Sequence, residues 1–348
     1  MILNPSYNLI AGIAPVAQQS KPEFSRDLLE RLSCWVISDG KAGMENQCLG
    51  LAERLGLQPE IKRVQLRSPW RELSPWMRMG QSHALSRKGD PLSAPWPDLI
   101  IATGRASVAT SLWVKKKSGG RTLCVQIQNP VVGLSRFDLV VMPEHDGISG
   151  PNVVATRGGL HRVTPEFLAK EAERWAPLVD HLPVPRLAVL VGGSNGAYQL
   201  TPREMVRLTV SLAALAKEKK MGLMVTPSRR TGEANLAILQ AGLHDCSAVI
   251  WDGQGDNPYY GFLGLADAFV VTCDSVNMVS EAASTGKPLH VVHLPGGSAK
   301  FTAFHQAMER DGYCRPFAGK IEEWRYSPLN DMQLVADRVR QLLVSRRG

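Results

Sequence analysis

The chain has 348 residues, of which 44% are hydrophobic, and it carries a formal net charge of +8. Its length allows two domains with full cores, and its composition excludes a disordered or fibrous protein. The excess of positive charge favours anionic partners such as nucleotide sugars, phospholipid headgroups, lipopolysaccharide or nucleic acid, without selecting one of them.

Six cysteines are scattered along the chain without the CxxC or Cys/His spacing of a zinc site. Several of them lie in apolar runs, so we predict buried free thiols in a reducing compartment and no bound metal. No apolar segment approaches the roughly 18 residues of a spanning helix, and the first residues lack the basic region of a signal peptide. The predicted location is the cytoplasm, or the cytoplasmic face of the inner membrane as a peripheral protein.

A glycine-rich turn follows the first apolar strand. We predict an N-terminal extension at residues 1–30, a first domain at 31–180, and within it a strand at 34–37 that runs into this turn and a helix. The turn is neither a Walker A loop nor a dinucleotide fingerprint, but its glycines let the backbone approach a ligand. The candidate ligand-binding residues here are Asp39, Gly40, Lys41, Gly43, Asn46 and Gln47. The alternative is a tight turn with a solvated lysine.

The segment 65–98 mixes tryptophans with arginines, lysines and prolines. Indole rings and basic side chains together suit the surface of an anionic membrane. The same mixture could stack the bases of single-stranded nucleic acid, although we do not expect a nucleic-acid partner. The remaining interpretation is a long surface loop whose tryptophans pack on the core.

Further apolar strands at 97–102, 123–127 and 137–142 alternate with helical segments, which is typical of a doubly wound parallel sheet. Ligands of such sheets bind at the carboxyl ends of the strands. Gly104 and Arg105 follow one of these ends. Glu144, His145 and Asp146 follow another, where a general base could deprotonate an acceptor hydroxyl. The competing interpretation is that these three residues cap a loop.

The second half repeats this pattern after a proline-rich link at 181–185, so we predict a second domain at 186–315. A helical segment at 316–348 could pack back on the first domain. Candidate nucleotide-binding residues follow two strand ends of the second domain, and the first of these ends carries Gly193 and Ser194. Another carries Ser228, Arg229, Arg230 and Thr231, whose arginines could clamp a diphosphate or could be ordinary surface residues.

The stretch 266–288 contains a buried strand that feeds directly into a short helix. Asp274 or Ser275 is the predicted N-cap, and the free N–H groups of the helix start suit a diphosphate. Asn277 and Glu281, four residues apart, share one face, where Glu281 could accept hydrogen bonds from sugar hydroxyls. The alternative is an ordinary strand and helix with a surface glutamate.

The segment Ser280–Pro288 resembles the nucleotide-binding segment of GT-B glycosyltransferases. That resemblance implies that Glu281 holds the ribose of the donor and that residues 275–278, including Met278, meet its diphosphate. A second resemblance covers most of the chain, from Trp35 to Asn330, and is to bacterial members of the mitochondrial-fission elongated-mitochondria family. Its motifs are SDGKAGMENQ, TGRASV, MPEHD, VGGSNGAY, TPSRRT, NPYYGFLGLADAFVVTCDSVNMVSEAASTGKP and WRYSPLN. The implied fold is α/β, with two Rossmann-like parallel-sheet domains facing a cleft, as in GT-B enzymes.

Three functions are compatible with this pattern. The first is a metal-independent glycosyltransferase that moves a sugar from a nucleotide-diphosphate donor to an anionic lipid or glycan acceptor of the cell envelope, with no other cofactor. The glycine-rich turn with Gly104 and Arg105 would then face the acceptor. The second is a nucleotide-sugar 2-epimerase, which needs no acceptor. The third is a scaffold that retains the fold and recruits protein partners, because fold alone does not establish chemistry.

Overall fold

Two parallel sheets, one in each half of the chain, form the framework of the molecule. The computed structural model describes residues 31–77 and 79–346, and the predicted extension at 1–30 lies outside the described residues. Central strands such as Leu99–Thr103 and Ala268–Thr272 are buried along their whole length, because helices cover both faces of a parallel sheet. This double coverage explains why the strands read as continuous apolar runs in the sequence.

The first sheet has six strands in the order β2-β1-β3-β4-β5-β6, all parallel. The strands are β1 Cys34–Ser38, β2 Glu60–Arg63, β3 Leu99–Thr103, β4 Leu123–Ile127, β5 Leu139–Pro143 and β6 Val153–Thr156. The helices of this half are α1 Ala42–Leu55, α2 Trp70–Leu73, α3 Gln81–Ala84 and α4 Arg105–Lys117, with short 3-10 turns at Leu134–Arg136 and Glu144–Asp146.

The second sheet also has six parallel strands, in the order β12-β11-β10-β7-β8-β9. The strands are β7 Arg186–Val191, β8 Gly222–Pro227, β9 Ala248–Ile250, β10 Ala268–Thr272, β11 Leu289–Val292 and β12 Arg315–Pro316. The later helices are α5 Pro165–Val179, α6 Pro202–Lys219, α7 Glu233–Gly242, α8 Tyr259–Leu265, α9 Val276–Ala283, α10 Ala299–Arg310 and α11 Asp331–Ser345.

Two helices pack on the sheet of the other half of the chain. Leu168 and Val179 of α5 belong to the core around the second sheet, although the sequence places this helix before the proline-rich link. Val335 and Val339 of α11 belong to the core around the first sheet and pack near α1. The chain therefore passes twice between the halves. Prolines mark where a chain segment is extended, but they do not reveal which sheet a preceding helix covers.

Within residues 31–77 and 79–346, no helix is both long enough and apolar enough to span a bilayer. The six cysteines are free thiols, and all except the partly exposed Cys246 are buried. Burial raises the pKa of Cys34 and Cys124 to about 12, so these thiols are protonated and unreactive at neutral pH.

Candidate functional site

A cleft separates the carboxyl ends of the two sheets, and polar contacts cross it near the start of α9. The Gln47 side-chain amide donates a hydrogen bond to Asn277 Oδ1 across 3.1 Å, which joins α1 to α9. The backbone N–H of Gly159, after β6, donates to Ser280 Oγ across 2.9 Å. These contacts bring the two predicted ligand-binding regions into one place.

The cleft contains a cavity of about 390 Å³. Its wall combines loops of the first sheet with the first turn of α9, and it includes Gln47, Arg105, Gln128, His145, Asp146 and Asn277. Residues 31–77 and 79–346 contain no group of three or more His, Cys, Asp or Glu side chains arranged to hold a metal ion. The polar side chains of this wall are four amides, one imidazole, one guanidinium, one carboxylate and one hydroxyl.

Helix α9 begins at the cleft because Ser275 caps it. The Ser275 hydroxyl accepts a hydrogen bond from the Met278 N–H across 3.4 Å, so Ser275 rather than Asp274 is the N-cap. Close packing surrounds the first turn. A Cβ atom on Gly159 would lie 2.7 Å from Asn277 Oδ1, so a larger residue there would displace the Asn277 side chain. The glycine allows the β6 loop to approach the start of α9.

Asp274 is fully buried and pairs with Arg230. One Arg230 nitrogen, Nη1, lies 2.7 Å from Asp274 Oδ2, and the Gly193 N–H donates to the same oxygen across 2.9 Å. Arg230 itself remains 39% exposed, so part of its guanidinium faces solvent. The predicted diphosphate clamp thus consists of Arg230, which the buried Asp274 carboxylate holds in place, and Arg229, which is exposed.

Three predicted donor-site hydroxyls are occupied by hydrogen bonds with backbone groups of the protein. Ser228 Oγ donates to Gly192 O across 2.7 Å, and Thr231 Oγ1 donates to the same carbonyl across 2.5 Å. Ser194 Oγ accepts from the Leu200 N–H across 2.9 Å. Ser228 and Thr231 therefore hold the loops after β7 and β8 together, whereas the Ser194 hydrogen bond lies within the loop after β7. A role in ligand binding would have to come from the backbone that they position.

Glu281 lies in the second half of α9 and is only 8% exposed. Its carboxylate accepts a hydrogen bond from the Tyr259 hydroxyl at the start of α8. Burial raises the pKa of Glu281 to about 7, and the Tyr259 hydrogen bond partly opposes this rise. Glu281 therefore retains its proton to a higher pH than an exposed glutamate does, and a ribose hydroxyl would compete with Tyr259 for its carboxylate.

The three candidate bases occupy the 3-10 turn after β5. The Arg157 guanidinium donates to Glu144, and Lys300 Nζ lies 2.7 Å from Asp146 Oδ1, so both carboxylates are paired. His145 is half-buried, lines the cavity and stacks edge-on against Phe304 of α10 at 5.5 Å. Burial lowers the pKa of His145, so its imidazole is neutral at pH 7. A neutral imidazole at a cavity wall has the form required of a base.

The predicted acceptor residues divide between two adjoining cavities. Asp39, Lys41, Gly104 and Arg105 line a second cavity of about 560 Å³, together with residues of the 65–74 segment. Gln47 lines the cleft cavity, and Arg105 lines both. Lys41 Nζ pairs with Asp39 at 2.6 Å, and Asn46 donates to the Tyr260 hydroxyl across 3.4 Å. Gly40 has φ +82° and Gly43 lies against Asn277, so both shape the turn through their backbone.

Sequence reasoning missed two contributors to this site. Tyr259, the hydrogen-bond partner of Glu281, belongs to the NPYY motif. The feature of the sequence that could have indicated its role is a tyrosine hydroxyl a few residues before a buried strand. Lys300, the partner of Asp146, lies in the first turn of α10, a helix for which the sequence analysis names no functional residue. Its position across the cleft depends on how the two halves meet, which no local pattern encodes.

Comparison with known proteins supports this architecture. The model of the family described as Mitochondrial fission ELM1 matches residues 42–343. The mitochondrial fission protein ELM1 of Arabidopsis thaliana is 28% identical over 396 residues, which cover 89% of this chain and 91% of that protein. An uncharacterized protein of Rickettsia prowazekii (strain Madrid E) is 26% identical, with 88% of this chain and 97% of that protein covered.

A solved structure with the same fold is the UDP-GlcNAc 2-epimerase of Methanocaldococcus jannaschii in complex with UDP-GlcNAc and UDP. Its TM-score is 0.52 at 11% sequence identity, and the match covers 90% of this chain and 100% of that chain. At this identity the likeness establishes the fold alone. The prediction of two Rossmann-like parallel-sheet domains facing a cleft, as in GT-B proteins, is confirmed.

Proposed function

The chain belongs to the mitochondrial fission ELM1 family, and from its GT-B-like fold and polar cleft we propose that it is a glycosyltransferase with a nucleotide-diphosphate sugar as donor. The observation that carries the proposal is the cavity between strand ends of the first sheet and the capped start of α9, the helix that follows β10 of the second sheet. Ligands of open α/β sheets bind at such strand ends. A UDP-sugar is the first donor to test, because the archaeal epimerase with this fold binds UDP-GlcNAc and UDP.

The donor would lie along α9. The free N–H groups of the first turn and the Arg230 guanidinium, oriented by Asp274, would stabilise the diphosphate as it leaves. Arg229 is exposed nearby in sequence and would add a second charge. Glu281 would exchange its Tyr259 hydrogen bond for hydrogen bonds from the ribose. This exchange favours the ionised carboxylate.

His145 is the base that the geometry favours among the three candidates. Its neutral imidazole lines the cavity, whereas the Glu144 and Asp146 carboxylates are held by Arg157 and Lys300. In the proposed step, His145 takes the proton of the acceptor hydroxyl while the new C–O bond forms and the bond between the sugar and the diphosphate breaks. Replacing His145 by alanine should lower kcat by about 10² to 10⁴-fold.

The acceptor is proposed to be a lipid or glycan of the cell envelope. The second cavity joins the cleft at Arg105 and is open towards the segment that carries Trp76 and Leu73. Both apolar side chains are about half exposed, and the Arg105 guanidinium lies over the Trp76 ring at 5.2 Å. An amphiphilic acceptor could place its sugar in the cavity and its apolar part at this segment.

The decisive experiment is calorimetric titration with UDP, GDP, CMP and their sugar conjugates. Wild type, Glu281→Gln and Arg229→Ala should be compared with Arg207→Ala, an exposed arginine on α6 that pairs with Glu204. Saturable binding of one nucleotide that weakens in the first two variants, and not in the control, supports the donor site. If no nucleotide binds at millimolar concentration, the glycosyltransferase proposal is wrong.

A recruiter without enzymatic activity is the second candidate. The name of the Arabidopsis relative refers to mitochondrial fission, and the charged groups of the cleft already pair with one another, as Asp274 does with Arg230 and Asp146 with Lys300. Such internal pairing leaves few charges for a substrate.

A 2-epimerase is the third candidate, suggested by the shared fold. Conversion of a bound nucleotide sugar without any acceptor would identify the epimerase, and failure to bind nucleotides would favour the recruiter.

A further inference from the structure

A third cavity, of about 650 Å³, lies at the end of α9 that points away from the cleft, and we call it the junction cavity. Val276 and Asn277, at the start of this helix, line the cleft cavity, whereas Ser284 and Thr285, just after its end, line the junction cavity. The two cavities share no lining residue. The donor and acceptor functions proposed above therefore leave this cavity unexplained.

Both halves of the molecule contribute to its wall. Met332 belongs to the first core and Leu168 to the second, and both line the cavity. The two segments in which the chain passes between the halves also line it, at 161–164 and 328–330. A molecule bound here would touch both cores and both connections at once.

The wall also contains two cationic side chains, Arg54 and Lys287, and buried side-chain nitrogens without hydrogen-bond partners. The Arg54 Nε atom is shielded from solvent and has no hydrogen-bond partner among the described residues, and the same holds for Nδ1 of His161. His161 is only 6% exposed. Lys287 Nζ donates to Gly264 O at 2.9 Å and to Ala266 O at 2.5 Å, which leaves one of its three N–H groups free. Desolvated donors without partners are costly, and a bound acceptor would remove that cost.

The balance of charge and polarity of the wall indicates the kind of ligand. Burial lowers the pKa of His161 to about 4, so its ring is neutral at pH 7. Arg54 and Lys287 then face one carboxylate, that of Glu166 at the exposed start of α5, and the cavity keeps a net positive charge. The remaining wall is largely apolar and includes Leu168, Ala172, Leu329 and Met332.

We propose that this junction cavity binds a small organic oxyanion, with a carboxylate or phosphate on Arg54 and Lys287 and a short apolar body against the Leu168 wall. The ligand bridges the two cores, so its binding stabilises the folded arrangement of both halves. This site is independent of the proposed donor site, because it uses other residues at the other end of α9.

The test is calorimetric titration with inorganic phosphate and with octanoate, accompanied by thermal unfolding with each probe. Wild type should bind at least one probe saturably and unfold at higher temperature in its presence. Arg54→Gln should weaken binding about tenfold or more, because a charge-assisted hydrogen bond is lost. Ala169→Leu, which fills the cavity from an exposed wall position, should also weaken binding while leaving Arg54 intact.

Two controls make the outcome decisive. Arg207→Gln changes an exposed arginine far along the chain on α6 and should not affect binding, and Asn277→Ala changes the cleft cavity and should leave unchanged the part of the binding that Arg54→Gln removes. Stronger binding of octanoate than of phosphate would identify an amphiphilic ligand, and the reverse would identify a simple oxyanion. If neither probe binds at millimolar concentration, or if binding survives Arg54→Gln and is lost in Asn277→Ala, the proposal is overturned.

Discussion

At the scale of single residues, Glu281 makes the stability of the protein depend on pH. Its carboxyl group is buried under Tyr259, and its pKa is raised from 4.5 to about 7. The folded protein therefore holds this proton between about pH 4.5 and pH 7, where the unfolded chain has released it. As the pH rises through this window, the folded state loses stability, because the charged carboxylate is costly in a buried place.

We expect Glu281→Gln to be more stable than wild type at pH 8 by on the order of 3 kcal/mol at most, and nearly equal to it at pH 5. The neutral amide keeps a hydrogen-bond acceptor for Tyr259 and has no charge to desolvate. Chemical denaturation of both proteins at several pH values measures the difference. A difference in the free energy of unfolding that stays constant from pH 5 to pH 8 would contradict the raised pKa.

Individual side-chain roles are also where the sequence was least informative. Ser194, Ser228 and Thr231 were predicted to contact a donor, because they follow strand ends. In the structure Ser228 and Thr231 donate to the backbone of the loop after β7, and Ser194 accepts from the Leu200 N–H of its own loop. Which acceptor a hydroxyl finds depends on loops that are about 40 residues away in sequence, so no local pattern separates a ligand-binding serine from a loop-binding one.

At the scale of elements, the loops after β7 and β8 lie in direct backbone contact. A Cβ atom on Gly193 would lie 2.1 Å from the carbonyl oxygen of Arg230, and neither backbone can yield without moving its strand. The same glycine donates its N–H to Asp274. The position of Arg230 at the cleft thus depends on a residue without a side chain in the neighbouring loop.

We expect Gly193→Ala to lower the free energy of unfolding by about 2 kcal/mol or more and to weaken any nucleotide binding, because the β8 loop must shift. Gly196→Ala is the matched control, since a Cβ atom there meets nothing within 4 Å. Thermal unfolding of the two variants checks the effect. Equal melting temperatures would show that the loops are not in close contact.

Helix α11 supplies the second prediction at this scale. Val339 is fully buried in the first core, whereas Leu334 on the same helix is 54% exposed. Val339→Ala should cost about 2 kcal/mol of unfolding free energy, because it removes buried methyl groups and leaves a cavity. Leu334→Ala should change that free energy by less than about 0.5 kcal/mol. Denaturant titration would reveal similar losses for both variants if α11 did not pack on the core.

The elements themselves were largely predictable, and their assignment to a half was not. Apolar runs such as 268–272 identify buried parallel strands, and Thr201 with Pro202 identifies the start of α6. Helix α5 was assigned to the first domain because the proline-rich link follows it. Its apolar residues, including Leu168 and Val179, match either core equally well in composition. Only the packed structure shows which sheet they cover.

At the scale of the whole molecule, the exposed apolar side chains of the segment 65–98 are the part of the protein for which we predict contact with an anionic membrane. Leu73, Trp76 and Met79 are 48%, 57% and 84% exposed and occupy one short segment. Met79 borders a groove of about 850 Å³ that also includes Lys116, Lys117 and Arg136. Apolar side chains beside basic ones are favourable at a bilayer surface with anionic headgroups. This surface adjoins the cavity in which we propose that the acceptor binds.

We expect the triple variant Leu73→Ser, Trp76→Ser, Met79→Ser to bind vesicles containing phosphatidylglycerol about tenfold more weakly than wild type, because apolar burial is lost. Binding should also fall as salt is added. The double variant Val206→Ser, Val210→Ser, at two exposed positions on α6, is the control and should bind as wild type does. Cosedimentation measures both. Wild-type protein that remains in the supernatant would exclude the membrane contact.

The return of α11 to the first core has a consequence for how the protein is made. Arg340 donates a hydrogen bond to the carbonyl of Arg54, which lies 286 positions earlier in the chain. While the ribosome synthesises the second sheet, the part of the first core that later packs against Val335 and Val339 remains exposed to solvent. Domains usually fold in order as they emerge. Here the first core reaches its final packing only after the second sheet has been synthesised, so a chaperone that shields apolar surface would have its strongest effect on this half.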